Sequence, residues 1–252
     1  MGSVQLARTS AEGELLDPAS LPLDPVGSAG YHLQSRVAVG SSGLALVWLS
    51  STGVHAARLD ADGRRLGAAV TVSAALPAPV GGHRQPFGAT WVGSSLVVGF
   101  VHNQPQLVTV DLASGAVSSK RLMASLGAIW AVVPVVGDRL WVVGTDAGPR
   151  LVSLLVGPDG AVVEGSQRTH GGAATLVDVV RHQGTLALAW FEPTPMRTLH
   201  TMTFDHAGEP LTTPASFPLG GPMQNAWGTE LAWSGGTGLV AWVSGTNSQD
   251  PA

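Results

Sequence analysis

A short apolar run ending in an aromatic residue recurs along this chain: LALVW to Trp48, LVVGF to Phe100, LALAW to Trp190 and GLVAW to Trp242, with a degenerate LWVVG to Gly144. Successive copies lie 44 to 52 residues apart. That period constrains the fold more than any single motif, because a repeat of about 40 to 50 residues is what stacked propeller blades leave in a sequence. A second signal shares the period. Glycines in predicted hairpin turns, several with an acidic residue just before them, stand at Gly13, Gly63, Gly115, Gly160 and Gly208. Glycine supplies the positive φ that a tight hairpin needs. It follows the aromatic position by 15 residues twice and then by 16 and 18, so two unrelated signals run in register.

Nine residues before each of these glycines a β run begins, at Val4, Val54, Gln106, Leu151 and Leu199. VQLARTSAEGELL and VHAARLDADGRRL are the same element twice. Each unit therefore reads as four strands: an inner strand (RVAV, ATWV, VVPVV, DVVR, ELAW), the apolar strand with the aromatic, and the two arms of the glycine hairpin. Four short antiparallel strands per repeat make a propeller blade. The expected fold is all-β, a five-bladed β-propeller in one domain over residues 1–252, with units at about 35–83, 84–128, 129–173, 174–224, and 225–252 joined with 1–34. The fifth blade is expected to close by pairing the hairpin around Gly13 with the strands near residues 230–243, which would remove two unpaired edges. No segment carries a helical period, and no helix is predicted.

Composition narrows the function classes. A net charge of -4 with 13 scattered Lys and Arg gives no basic stripe, so nucleic acid is not an expected partner. No apolar run approaches the roughly 18 residues that span a bilayer, and the first residues lack the basic start and apolar stretch of a secretory leader. Membrane insertion is not expected. The absence of cysteine removes disulfides, thiolate metal sites and thiol nucleophiles. With only 12% charged residues, the surface must lean on Ser, Thr, Gly, Gln and Asn.

In a propeller, loops entering the inner strands and loops joining second to third strands share one face. That face is predicted to carry Tyr31, His32, His83, Arg84, His170, Asn225 and Trp227 from the entering loops, with His102, Asn103, Asp146, Arg150, Glu192 and Arg197 from the others. Twelve residues before each aromatic position stand Arg36, Gly88, Val132, Asp178 and Glu230, which would surround a central channel. Asp178, Glu230 and Arg36 then fall on successive blades. Such a cluster suits sugar hydroxyls or an anionic group, and its plainer reading is a structural salt bridge. Paired carboxylates also serve glycoside cleavage, but five-bladed glycosidases generally carry three acidic residues on inner strands and the third position here is not acidic.

His32, His83 and His170 have no metal-binding spacing, and no metal or cofactor is expected. LDADGRR around Asp60 reads as a hairpin turn, since the later oxygen ligands of a calcium loop are missing. Trp48, Trp190 and Trp242 read as blade core. Trp227, in the polar stretch GGPMQNAWGTE, is the better stacking candidate. No arrangement of Ser, His and Asp is visible in the spacing.

With its repeat of about 50 residues and its Asp-Gly hairpins, the chain resembles bacterial tandem-repeat propellers and five-bladed lectins of the tachylectin type. It is similar also to the alanine- and valine-rich repeat domains of large secreted bacterial proteins, notably myxobacterial ones. The resemblance implies a secreted or cell-surface location, a monomer and a non-catalytic binding or scaffold role, recognising a glycan or a protein. The entering loops LPLDPVGSAGYH and LPAPVGGHRQ are similar, FPLGGPMQN is less so and the other two do not follow, which argues against one sugar site per blade. The alternative expectation is a glycoside hydrolase using the channel carboxylates.

Overall fold

The computed structural model describes residues 5–6, 21–22, 34–79, 85–122, 124–192, 198–218, 225–234 and 237–245. The chain divides into two compact units, residues 1–122 and 123–252. Every regular element among the described residues is a strand.

The first unit opens with a two-stranded pair, β1 (Gln5–Leu6) and β2 (Leu21–Pro22). Two four-stranded antiparallel meanders follow, each strand hydrogen-bonded to the next in sequence. One is β3 (Ser35–Gly40), β4 (Gly43–Ser50), β5 (Gly53–Leu59) and β6 (Arg65–Ser73). The other is β7 (Phe87–Val92), β8 (Ser95–Val101), β9 (Pro105–Val110) and β10 (Val117–Arg121). The second strand of each is buried along nearly its whole length and β10 is exposed throughout, so the apolar aromatic strand sits mid-blade with the polar arm outside. The two blades pack through their first strands. Trp91 of β7 lies over Gly40 of β3, where a side chain would collide with the indole, and its Nε1 donates to the Ala38 carbonyl at 3.2 Å.

The second unit repeats the plan with β11 (Ala128–Val135), β12 (Arg139–Thr145), β13 (Arg150–Val156) and β14 (Arg168–Ala173). Its next meander is β15 (Thr175–His182), β16 (Thr185–Glu192), β17 (Thr198–Phe204) and β18 (Ala215–Pro218). A two-stranded pair, β19 (Asn225–Ser234) and β20 (Thr237–Gly245), ends the series. First strands again lie side by side, β15 between β11 and β19. Trp141 is fully buried between the blades, its ring 4.7 Å from that of Phe204 and against Gly208, where an added Cβ would come within 2.9 Å.

The hairpin glycines are where the repeat placed them. Gly63, Gly115, Gly160 and Gly208 have φ of 74°, 77°, 83° and 85°, a region that L side chains avoid. Gly13 lies outside the described residues. The turn at Asp60 is closed by its own carboxylate, whose Oδ1 accepts the Arg64 N–H at 2.8 Å. Asp111 does the same in the next blade. The Ser114 hydroxyl and the N–H groups of Ala113 and Ser114 hold it below the ordinary carboxylate range.

Two expectations need correction. Four blades, not five, are complete among the described residues: β19 and β20 form a two-stranded sheet, and the N-terminal hairpin strands pair with each other, Gln5 with Pro22 and Leu6 with Leu21. The repeat phase fixes where strands begin but says nothing about which free edges meet, because edge pairing is decided by tertiary geometry. The second correction concerns Gly144. It is not a worn-down aromatic site. A bulge between Ile129 and Ala131 brings the Ala128 carbonyl so close to Gly144 that any Cβ would collide with it. Two tryptophans of this blade, Trp130 and Trp141, are both about 1% exposed.

Candidate functional site

The inner-strand residues are built on β15 and β19. A bulge in the β15–β16 pairing between Thr175 and Asp178 puts Leu176 at φ 58°, in the left-handed region, while its side chain stays buried. Bulges re-aim side chains at the cost of local strain, here about 1 kcal/mol for a non-glycine residue. What this one aims is Asp178. Its side chain is only 7% exposed, and its Oδ2 accepts the backbone N–H of Leu231 on the neighbouring first strand at 2.7 Å. A buried carboxylate needs such donors, since leaving one without them costs several kcal/mol.

Of the sequence candidates, Glu230 stands on β19 next to the Leu231 amide that Asp178 holds, and Asn225 and Trp227 lie on the same strand. They were expected in an entering loop. The strand begins earlier than the repeat suggests and bulges between Ala226 and Gly228. The side chains of these three residues fall outside the described part of the structure. Arg36 occupies the corresponding place on β3 of the first unit and is half-buried. Tyr31, His32, His83, Arg84 and Arg197 lie outside the described residues. Among the described residues no three His, Cys, Asp or Glu side chains gather as a metal site.

His170 is not in an entering loop but on β14, the outermost strand of its blade. Its Nε2 lies 2.7 Å from the Ser153 hydroxyl and its ring meets the Phe204 ring edge-on at 5.1 Å. With Arg168, Thr169, Met202, Pro210 and Pro214 it lines an open groove of about 390 Å³, beside which Arg168 Nη2 donates to both carboxylate oxygens of Glu209, at 2.8 and 2.6 Å.

Burial, and then the Arg168 charge, lower the His170 pKa to about 4, so the ring stays neutral. The unfolded chain takes up this proton near 6.5 and the folded one near 4. Stability is therefore full above pH 6.5 and falls as the pH drops toward 4. With allowance for the part of the ring that meets water, the loss should reach about 2 kcal/mol. Urea unfolding at pH 7.0, 5.5 and 4.0 should show that slope in the wild type and a flatter one in His170→Asn.

A constellation invisible in the sequence lies in the next blade, β15 to β18. His200 of β17 stacks on Trp190 of β16, ring centroids 5.0 Å apart and 14° from parallel. Its Nε2 lies 3.0 Å from Glu192 Oε2 and its Nδ1 2.9 Å from Ser216 Oγ. The same ground plan occurs in the first unit, where His55 lies on Trp48 at 5.6 Å, with Ser50 and Thr52 hydroxyls on Nε2 and Thr71 at 3.5 Å from Nδ1. The antiparallel register makes both pairs, Trp48 opposite His55 and Trp190 opposite His200. Three other polar loop candidates, Asp146, Arg150 and His102, are tied up locally. Asp146 holds Arg150 at 2.7 Å, and His102 Nδ1 meets the Leu76 carbonyl at 2.8 Å.

Four-stranded antiparallel meanders packed through their first strands define a β-propeller. Solved structures agree. The chain is similar to hydrazine synthase of Kuenenia stuttgartiensis (14% identity, TM-score 0.53, 89% of this chain), of which it spans 64%. It is similar also to an endo-arabinase from Bacteroides thetaiotaomicron (9% identity, TM-score 0.53), over 84% of this chain and 89% of that one. An α-L-arabinofuranosidase from Clostridium thermocellum aligns at 11% identity and TM-score 0.52, over 81% and 79%. At such identities the likeness shows the fold alone. No family model matches the sequence, and no curated protein matches it.

Proposed function

We propose that this is a binding propeller whose inner-strand site, on β15 and β19, recognises a glycan without cleaving it. The observation that carries this reading is the state of Asp178. Glycoside cleavage needs two carboxylates free to act on substrate, one of them exchanging protons. The Asp178 carboxylate is instead buried and spent on the Leu231 amide, which leaves Glu230 as the remaining inner-strand acid of the sequence. Asn225, Trp227 and Glu230 on β19 supply an amide, an aromatic face and a carboxylate, the groups that sugar recognition uses. Two fold neighbours are an arabinofuranosidase and an endo-arabinase, which supports an arabinose-containing glycan as the first ligand to try.

Glycan-array binding should be seen for the wild type and should drop at least about tenfold in Trp227→Ala, the loss expected for one stacking contact. Release of reducing sugar from arabinan that disappears in both Asp178→Asn and Glu230→Gln would instead establish the hydrolase. Absence of array signal together with capture of a protein partner would make the domain a scaffold.

A further inference from the structure

We propose that Ser216 is a base-activated nucleophile, with His200 as its base and Glu192 orienting the imidazole, able to take an acyl group from a small carboxylic ester. The proposal is independent of the glycan reading, since it uses the second to fourth strands of one blade rather than β15 and β19. It stands on the closed hydrogen-bonded chain from Ser216 Oγ to His200 Nδ1 at 2.9 Å and from His200 Nε2 to Glu192 Oε2 at 3.0 Å. A nucleophile within hydrogen-bond reach of a base, itself held by a third group, is the geometry that activates a serine.

The comparison within the chain separates packing from chemistry. The stacked tryptophan and histidine occur in two blades, so that pair is part of how these blades are built. What differs is the pair of positions around the ring. In the first unit, hydroxyls of Ser50 and Thr52 stand on Nε2, and Thr71 sits at the limit of a hydrogen bond from Nδ1. In the second, a carboxylate replaces the former and a close serine the latter. A carboxylate on Nε2 fixes that nitrogen as the protonated one, donating to Glu192, and leaves the Nδ1 lone pair facing Ser216. Exposure is graded to match: the side chains of His200 and Glu192 are 13% and 27% exposed, whereas Ser216 is on an exposed outer strand. Room for the carboxylate comes from β14 of the neighbouring blade, where Gly172 has no side chain and an added Cβ would press on Glu192 Oε1.

The step balances without an added reagent other than water. Ser216 Oγ forms a bond to the ester carbonyl carbon as its proton passes to His200 Nδ1. The tetrahedral adduct then expels the alcohol, whose oxygen takes that proton. Water attacks the acyl-serine, giving its proton to Nδ1. The Ser216 oxygen leaves with the returned proton, and a carboxylic acid is released.

The test is labelling with an alkyl fluorophosphonate, mapped by mass spectrometry, alongside hydrolysis of p-nitrophenyl acetate. Label is expected on Ser216 and absent in Ser216→Ala. Its rate should fall about 100-fold in His200→Asn and about tenfold in Glu192→Gln, and stay unchanged in His55→Asn. Circular dichroism melts check that each variant is folded. Should His200→Asn not fold, Glu192→Gln and Ser216→Ala decide. No label on Ser216, or equal labelling in wild type and in folded Glu192→Gln and His200→Asn, would overturn the proposal and leave the chain of hydrogen bonds a structural clamp.

Discussion

Trp141→Ala is expected to lower the unfolding free energy by about 3–5 kcal/mol, the range for emptying a fully buried tryptophan site. Trp141 is 1% exposed, meets the Phe204 ring at 4.7 Å and rests on the Gly208 turn of the next blade, so its loss opens a cavity between two rigid sheets that cannot collapse to fill it. Equilibrium urea unfolding at pH 7 reads the change as a shift in midpoint at unchanged slope. The control is Leu211→Ala at a side chain 58% exposed, which should move the midpoint by no more than about 0.5 kcal/mol. A loss below about 1 kcal/mol for Trp141→Ala would mean that the two blades do not pack through this residue.

Gly144→Trp should cost more still, above about 4 kcal/mol, enough to prevent cooperative folding of a domain of ordinary stability. The repeat alone recommends this change, since an aromatic stands at the equivalent position in the other copies. The structure forbids it, because the Ala128 carbonyl occupies the space of the first side-chain carbon. Gly144→Ala separates the causes: it adds only the Cβ and should already be destabilising by about 1–3 kcal/mol. Thermal melts of both variants are sufficient. A stable Gly144→Trp protein would mean that the Ala128 carbonyl does not crowd residue 144.

The contrast at residue 144 indicates what a sequence of this kind can reveal. Strand order and the hairpins were legible because each is a local demand: alternating apolar runs make strands, and a tight turn needs glycine at positive φ, as Gly63, Gly115, Gly160 and Gly208 have. The first strands were legible through their constant distance from the aromatic, and the separation of Asp178 and Glu230 onto neighbouring strands followed. Blade closure was not, since the pairing of Gln5 and Leu6 with Pro22 and Leu21 sets edges by geometry that composition does not encode. Neither was the His200 chain. Glu192, His200 and Ser216 are 8 and 16 residues apart, spacings that mean nothing until antiparallel register lays three strands side by side. Gly171 and Gly172 look like loop filler in the sequence, yet they lie against Trp190 and Glu192. A glycine required for close approach cannot be told from one required for a turn without the neighbour that approaches.

The same lesson applies to Asp178. Its position twelve residues before Trp190 left it either a ligand group or part of a structural salt bridge, and the carboxylate, beside the bulge at Leu176, accepts from the Leu231 amide. The account rests on that carboxylate holding β15 to β19 instead of doing chemistry. Urea unfolding of Asp178→Ala against wild type at pH 7 tests it most directly. Loss of the charge-assisted hydrogen bond between a buried carboxylate and the partly buried Leu231 amide should lower stability by about 2–3 kcal/mol. An unchanged midpoint would contradict the account and return Asp178 to the list of groups available to a substrate.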